Sequence, residues 1–251
     1  IALLQTHAAQ IDKLRAASGV TDPHELLGYL RAVTNEEPRG TSEDKIISLA
    51  ATRLAATRAW RESIGVDALM ADQDWRARER EHRKLLQYDY LGCDLCGRPI
   101  LLECIGMWDP CAVASAAEDD YATFEKLHCM ACATLQRIRR PEWTRDPRGQ
   151  VLVLDCGGFS FRHVAHARRL ARALLRIARL DAAHHPDTTA HIFLVRCPTA
   201  FAALAYLVSP FLARATLDKV HVSRGISKEL LETLGPDVLP VELGGTRAHC
   251  F

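Results

Sequence analysis

The sequence predicts an α/β fold in which a mainly parallel sheet follows an all-helical N-terminal module. Three observations carry that prediction. Apolar residues recur at helical spacing through the first 90 of the 251 residues. Short runs rich in Val, Ile and Leu then appear at Ile100–Ile105, Val151–Leu154, Ile192–Val195 and Val220–Val222. Longer helical patterns separate these runs, and strands alternating with helices need the long crossovers of a parallel sheet. The predicted domains are residues 1–90, a helical module, and residues 91–251, the sheet domain.

Each element has its own signal. Leu3, Leu4, Ile11 and Leu14 mark a first helical stretch that Gly19 stops. Asp22-Pro23 opens a short helix carrying Leu26, Leu27 and Leu30, with Pro in the first turn. Asn35 to Thr41 contains Pro38 and Gly40 and is a loop. A long helix starts at Ser42, with Ile46, Ile47, Leu49, Ala50, Leu54 and Trp60 as its apolar stripe. Asp72 to Lys84 mixes both signs of charge and is a solvated helix. Helices are expected near residues 118–140, 163–180 and 199–208. In the second of these, Arg168, Arg172, Arg176 and Arg179 share one face and Leu170, Leu174 and Ile177 the other, so the apolar side packs on the sheet.

Composition narrows the function. Lys and Arg total 32 against 31 Asp and Glu, a balance unsuited to a polycation that coats nucleic acid. Nine scattered cysteines cannot all pair and predict reduced thiols in the cytosol. Cys197 to Ala213 is uncharged between Arg196 and Arg214, yet it is short and holds Pro198 and Pro210, which excludes a bilayer span. Because the chain opens at Ile1 rather than Met, it is expected to be a fragment, and an upstream targeting segment cannot be judged.

Chemistry-bearing motifs are sparse. Cys93-x-x-Cys96 and Cys129-x-x-Cys132 have zinc-like spacing, but the second pair sits inside a helical run, so both are read as ordinary thiols rather than metal ligands. Gly158-Phe159-Ser160-Phe161-Arg162 follows a strand but lacks the second glycine of a nucleophile elbow. Asp155-Cys156-Gly157-Gly158 is a turn where backbone passes close to a neighbour, not a phosphate loop. His184-His185 is assigned to a surface loop. The chain is therefore predicted to be no enzyme, with no metal and no cofactor.

A resemblance emerges from motifs in a fixed order. Asp94-x-x-Gly97-Arg98-Pro99-Ile100 resembles the entry to the first strand of the CRAL-TRIO lipid-binding domain, the fold of fungal phosphatidylinositol transfer proteins. Five further segments follow in that family's order: Val151 to Gly158, His185-Pro186-Asp187, Cys197-Pro198-x-x-Phe201, Pro210-Phe211-Leu212 with Lys219-Val220, and Leu239 to Thr246. Leu26 to Ala32 and Trp60-Arg61-Glu62 resemble its helical N-terminal module.

The resemblance implies a sheet flooring an apolar cavity that a mobile helix closes. Pro198 to Pro210 fits that helix, because a segment apolar all round must be buried or face something other than water. The gate and wall are then Phe201, Leu204, Leu207, Val208 and Phe211, with Phe193, Val195 and Val153 lining the cavity from the strands. Lys219 and Asp187 are implied as inositol-phosphate contacts, and Ser160 as a contact for a choline head group. Arg196 and His185 depart from the family's Asn and Tyr. The implied function is non-enzymatic binding and transfer of a phospholipid, phosphatidylinositol favoured, by a cytoplasmic monomer that docks transiently on membranes and binds no nucleic acid. Alternatives are a carrier of a retinoid, tocopherol or sterol-like molecule, and a regulatory module that recruits a protein partner.

Overall fold

The computed structural model describes residues 2–139, 149–212 and 214–248, without the side chains of Ala2, Ala203 and Phe211. The chain divides into two units, Ile1–Gly65 with Arg179–Thr188, and Val66–Ala178 with Thr189–Phe251.

The first unit contains α1 (Ala2–Thr6), α2 (Ala8–Ser18), α3 (Pro23–Glu36) and α4 (Glu43–Ile64). Gly19 closes α2 in the left-handed conformation, at φ +70°, which a glycine adopts without strain. Asp22 caps α3 by accepting from the His24 N–H, with Pro23 at the first helical position. Ile11, Leu14, Leu26, Leu27, Leu30, Val33, Ala50 and Leu54 form its core. Onto this bundle the chain returns at residues 179–188. The Tyr29 hydroxyl lies 2.7 Å from Thr57 Oγ1 and 3.2 Å from the His184 carbonyl. Trp60 stacks on the His184 ring at 4.1 Å, and Thr57 Oγ1 is 3.2 Å from His184 Nδ1. Arg31 pairs with Asp187 at 3.3 Å. Gly28 leaves room for the Pro186 carbonyl, which a Cβ there would approach to 3.1 Å. The histidine pair is thus no free surface loop. It is packed by an aromatic face and a hydroxyl from α3 and α4, partners that lie far away in sequence.

The second unit begins with α5 (Val66–Ala71) and α6 (Gln73–Leu86) and is built on one five-stranded sheet. Its strands, in spatial and chain order, are β1 (Tyr88–Cys93), β2 (Pro99–Glu103), β3 (Gln150–Asp155), β4 (Thr189–Val195) and β5 (Val220–Val222). β1 runs antiparallel to β2, and every later neighbour is parallel. β1 escaped sequence detection because its register shifts between Tyr90 and Gly92, which breaks the alternation. The Asp94 motif is the turn from β1 to β2: its buried carboxylate accepts from the N–H groups of Cys96 and Arg98 and from Arg98 Nε.

Helices fill the crossovers: α7 (Pro110–Asp119), α8 (Tyr121–Ile138), α9 (Phe161–Ala165), α10 (Ala167–His184), α11 (Phe201–Val208) and α12 (Arg214–Leu217). α13 (Lys228–Leu234) follows β5. The helix expected near 118–140 is broken at Asp120, which caps α8 through the Thr123 N–H. Arg168, Arg172, Arg176 and Arg179 of α10 are exposed, as its amphipathic pattern requires.

His82 of α6 is wedged edge-on between Tyr88 and Phe124, with ring centroids at 6.2 and 5.0 Å. Burial, aided by the nearby His128, lowers its pKa to about 4. The unfolded chain therefore takes up this proton first, and stability is lost as pH falls from about 6.5 towards 4. At pH 5 the loss from His82 is about 2 kcal/mol relative to neutral pH, seen as a fall of several degrees in Tm. A His82→Leu variant is expected to show a flatter Tm profile between pH 7 and 5, and an unchanged slope would reject the assignment.

Candidate functional site

The sheet has two faces with different fates. Ile100, Leu102, Val151, Val153, Phe193 and Val195 point to one face, where they pack against Leu230 and Leu234 of α13 and against Leu239 and Leu243. This face is solid, and Phe193 is 0% exposed. The expectation that Val153, Phe193 and Val195 line the same space as the gate helix is therefore wrong. Side chains alternate across a strand, and these three share a parity opposite to the face that α11 covers.

The residues on the other parity are Leu152 and Leu154 of β3 and Ile192 and Leu194 of β4. All four are apolar and all four are only half-buried. Interior strands of a parallel sheet are normally covered on both faces, and β3 and β4 each have a strand on either side. On this side α8 packs Ala131 and Leu135 near Leu152, while α10 and α11 contribute Leu174, Leu207 and Val208, which are likewise half-buried. A greasy floor left partly uncovered in the middle of a sheet is the main feature of this site.

α11 sits at its rim. Phe201 and Leu204 anchor the helix in the cluster of Ile105, Trp108, Cys156, Phe159 and Leu170. Phe201 meets Phe159 edge-on at 5.4 Å, and Phe159 stacks on His163 at 4.5 Å. Leu204 is 4% exposed whereas Tyr206 is 77% exposed. The helix is thus pinned along one side and shows uncharged surface on the other, so it is not an ordinary core helix. The side chain of Phe211 lies outside the described residues. Sequence reasoning missed two exposed apolar residues at the same sheet edge, Met107 after β2 and Phe161 at the start of α9, at 53% and 84% exposure. Only the Phe-Ser-Phe sequence at Phe159 to Phe161 hinted at the second.

The C-terminal strand edge is fixed by an ion pair between a buried carboxylate and a half-buried arginine. Asp155 Oδ1 accepts from the Gly157 N–H at 2.9 Å and from Arg196 Nε at 2.8 Å, while Arg196 Nη2 bonds Oδ2. Arg196 takes a left-handed φ of +52° to reach it. A Cβ on Gly157 would lie 2.5 Å from the Arg196 guanidinium carbon, and one on Gly106 would lie 2.1 Å from the Gly157 carbonyl oxygen. The Asp-Cys-Gly-Gly turn is therefore the close backbone approach expected from its composition.

Two of the expected head-group residues, Ser160 and Lys219, are not gathered at one point. Ser160 follows the C-terminal end of β3, and its Oγ lies 3.3 Å from His163 Nδ1, which also accepts from the Ser160 N–H at 3.1 Å. That arrangement is a helix cap rather than a nucleophile–base pair, since the imidazole lone pair is already taken by the backbone. Lys219 precedes the N-terminal end of β5 and donates to the Thr189 carbonyl at 2.6 Å. The parallel strands put Ser160 and Lys219 on opposite edges, about 15–20 Å apart. Asp187 belongs to the first unit, paired with Arg31.

The two Cys-x-x-Cys pairs are also separated. Cys93 donates to the Ile138 carbonyl at 3.3 Å, at the far end of α8 from Cys129, about 13 Å away along the helix axis. Cys129 is buried, and Cys132 Sγ lies 3.5 Å from His128 Nε2. Among the described residues no helix is long and apolar enough to cross a membrane.

Comparison with known proteins places this geometry. A family model described as the CRAL/TRIO domain matches residues 87–245. The chain is 27% identical over 241 residues to a CRAL-TRIO domain-containing protein of Caenorhabditis elegans, covering 90% of this chain and 30% of that protein. It is 25% identical over 230 residues to phosphatidylinositol/phosphatidylcholine transfer protein SFH9 of Arabidopsis thaliana, covering 89% of this chain and 37% of that one. It thus spans about a third of the length of these two relatives. Sec14 cytosolic factor of Schizosaccharomyces pombe is 23% identical over 191 residues, or 74% of this chain and 65% of that protein. The crystal structure of Sfh5 superposes with a TM-score of 0.61 at 14% identity, covering 90% of this chain and 73% of that one, a likeness of fold.

The two sheet faces should respond differently to truncation. Phe193→Ala is expected to cost roughly 3–5 kcal/mol in urea unfolding. Leu194→Ala, one residue along, should cost less than half as much, because its side chain is incompletely packed. Equal costs would mean that both faces are filled.

Proposed function

This chain belongs to the CRAL/TRIO domain family, and on that premise we propose that it binds a phospholipid over the half-covered face of the sheet and carries it between membranes. The observation that carries this reading is the set of Leu152, Leu154, Ile192 and Leu194, apolar side chains on interior strands that the protein's own helices leave only half-buried. Acyl chains are the natural complement of such a floor. Exposing a two-chain lipid to water uncovers tens of methylenes at ~0.8 kcal/mol each, whereas moving the chains from a bilayer onto an apolar floor avoids most of that cost. Exchange then needs a path, and α11 is placed to supply one. Phe201 and Leu204 are its buried anchors, Leu207 and Val208 pack only partly, and Tyr206 points outward on the side away from the cluster.

The head group is proposed to be phosphatidylinositol, with Lys219 as its cation. Ser160, at the opposite strand edge, would meet a different head group. The membrane contact is proposed to be transient and peripheral, with the protein working from the cytoplasm as a monomer. The names of the Arabidopsis thaliana and Schizosaccharomyces pombe relatives, a phosphatidylinositol/phosphatidylcholine transfer protein and a cytosolic factor, agree with this reading.

Native mass spectrometry of the purified chain, followed by lipid extraction, is expected to find one phospholipid per chain. An isoprenoid or single-chain ligand would replace this reading with a carrier of another hydrophobe. In a vesicle assay the chain should move labelled phosphatidylinositol, and Leu194→Trp, which fills the floor, should abolish movement while the fold persists by circular dichroism. Lys219→Ala should lower phosphatidylinositol transfer about tenfold relative to phosphatidylcholine, the loss of one charge-assisted hydrogen bond. Unchanged selectivity would sink the head-group assignment, and a chain that moves no lipid would point to a recruiting module.

A further inference from the structure

Two buried thiols meet beneath the foot of α11. Cys156 is the first residue past β3 and Cys197 the second past β4, and their sulfurs lie 3.3 Å apart. Their backbones are held in place, because the Cys156 N–H donates to the Val195 carbonyl at 2.9 Å and the Cys197 N–H to the Ser223 carbonyl at 3.0 Å. A disulfide needs a sulfur separation of about 2.05 Å, so closure asks for little more than about 1 Å of side-chain movement. Both residues share the cluster that seats Phe201 and Leu204. Cys197 also starts the lead-in to the helix, where the Phe201 N–H donates to the Pro198 carbonyl at 3.0 Å.

We propose that Cys156 and Cys197 form an oxidisable pair whose disulfide ties the floor of the site to the lead-in of α11 and slows lipid exchange. The slowing rests on the carrier function proposed above, whereas the pair itself does not. The oxidant is a peroxide. Cys197, the less buried of the two, attacks a peroxide oxygen as its thiolate; the O–O bond breaks, leaving a sulfenic acid and, with the thiol's proton, water. The Cys156 sulfur then attacks the sulfenic sulfur, the S–S bond forms, and the hydroxyl leaves with the second thiol proton as water. Two thiols lose two electrons in total, and hydrogen peroxide is reduced to two waters.

The surroundings make the reaction conditional. Burial raises both thiols above the usual range, so they stay protonated and slow while α11 is seated. Displacement of the helix admits water and oxidant, which links oxidation to the state in which the protein sits on a membrane.

The test uses the full chain with hydrogen peroxide, with and without phosphatidylcholine vesicles, quenched by an alkylating agent and mapped without reduction. The expected product is a Cys156–Cys197 cross-linked peptide, two hydrogens lighter than the dithiol, formed several-fold faster with vesicles. Oxidised protein should transfer lipid several-fold more slowly than reduced protein and recover with dithiothreitol. Cys197→Ser should show neither the cross-link nor the reversible loss. The pair is overturned if both residues remain alkylatable under peroxide that oxidises the exposed Cys96 and Cys111. Equal rates with and without vesicles overturn the dependence on α11, and a cross-link that leaves transfer unchanged overturns the regulation. A reduced chain that moves no lipid overturns the carrier function instead, and the peptide map still decides the pair.

Discussion

What the rest of this structure depends on is the unequal covering of a single sheet. One face carries Val153, Phe193 and Val195 against α13 and the segment after it, and that packing is complete. It supplies the burial that holds the second unit together, at about 25 cal/mol for each Å² removed from water. The stability of that face leaves the opposite one free to stay incompletely packed. Leu154 and Leu194 on that side would normally be covered, and a domain relying on both faces could not leave them half-open. The proposed binding of acyl chains relies on this division between a closely packed face and a half-covered one.

The strand edge beneath α11 shows how the working face keeps its shape without being filled. Asp155 and Arg196 clamp the ends of β3 and β4 at a turn so tight that Gly106 and Gly157 have no room for a Cβ. Two nitrogens of the half-buried arginine meet both oxygens of a buried carboxylate, a charge-assisted and bidentate geometry that makes the pair strong. Phe159 then passes the position of that turn to α11 through its ring contact with Phe201. Firm anchoring on one side and an uncharged outer side suit the gate proposed for α11, since a helix buried all round could not move and one fully solvated could not seal.

Much of this was legible beforehand, though unevenly. The helices of the first unit followed from caps and apolar spacing, and Gly19 and Asp22 do what their chemistry predicts. Strands β2 to β5 were visible as apolar runs, and the order of six short motifs identified the family. The runs hid their own direction, however. Val151-Leu152-Val153-Leu154 is apolar at every position, so nothing in it says which parity faces α11 and which faces α13. For that reason Val153, Phe193 and Val195 were expected on the side of α11, whereas they face α13. His184 was misplaced for a different one: its partners Thr57 and Trp60 lie more than a hundred residues earlier, and only folding brings them together.

The sequence by itself determined the class of the fold, the family, and the existence of an uncharged proline-bounded helix, because these rest on local periodicity, local turn chemistry and motif order. Tertiary structure alone decided which strand face is left open, that Ser160 and Lys219 stand at opposite edges, and that Cys156 and Cys197 meet. Those facts depend on pairing between segments distant in the chain. A one-residue change of parity turns every side chain of a strand to the other face, and no composition or spacing within a uniformly apolar run records which way it turned.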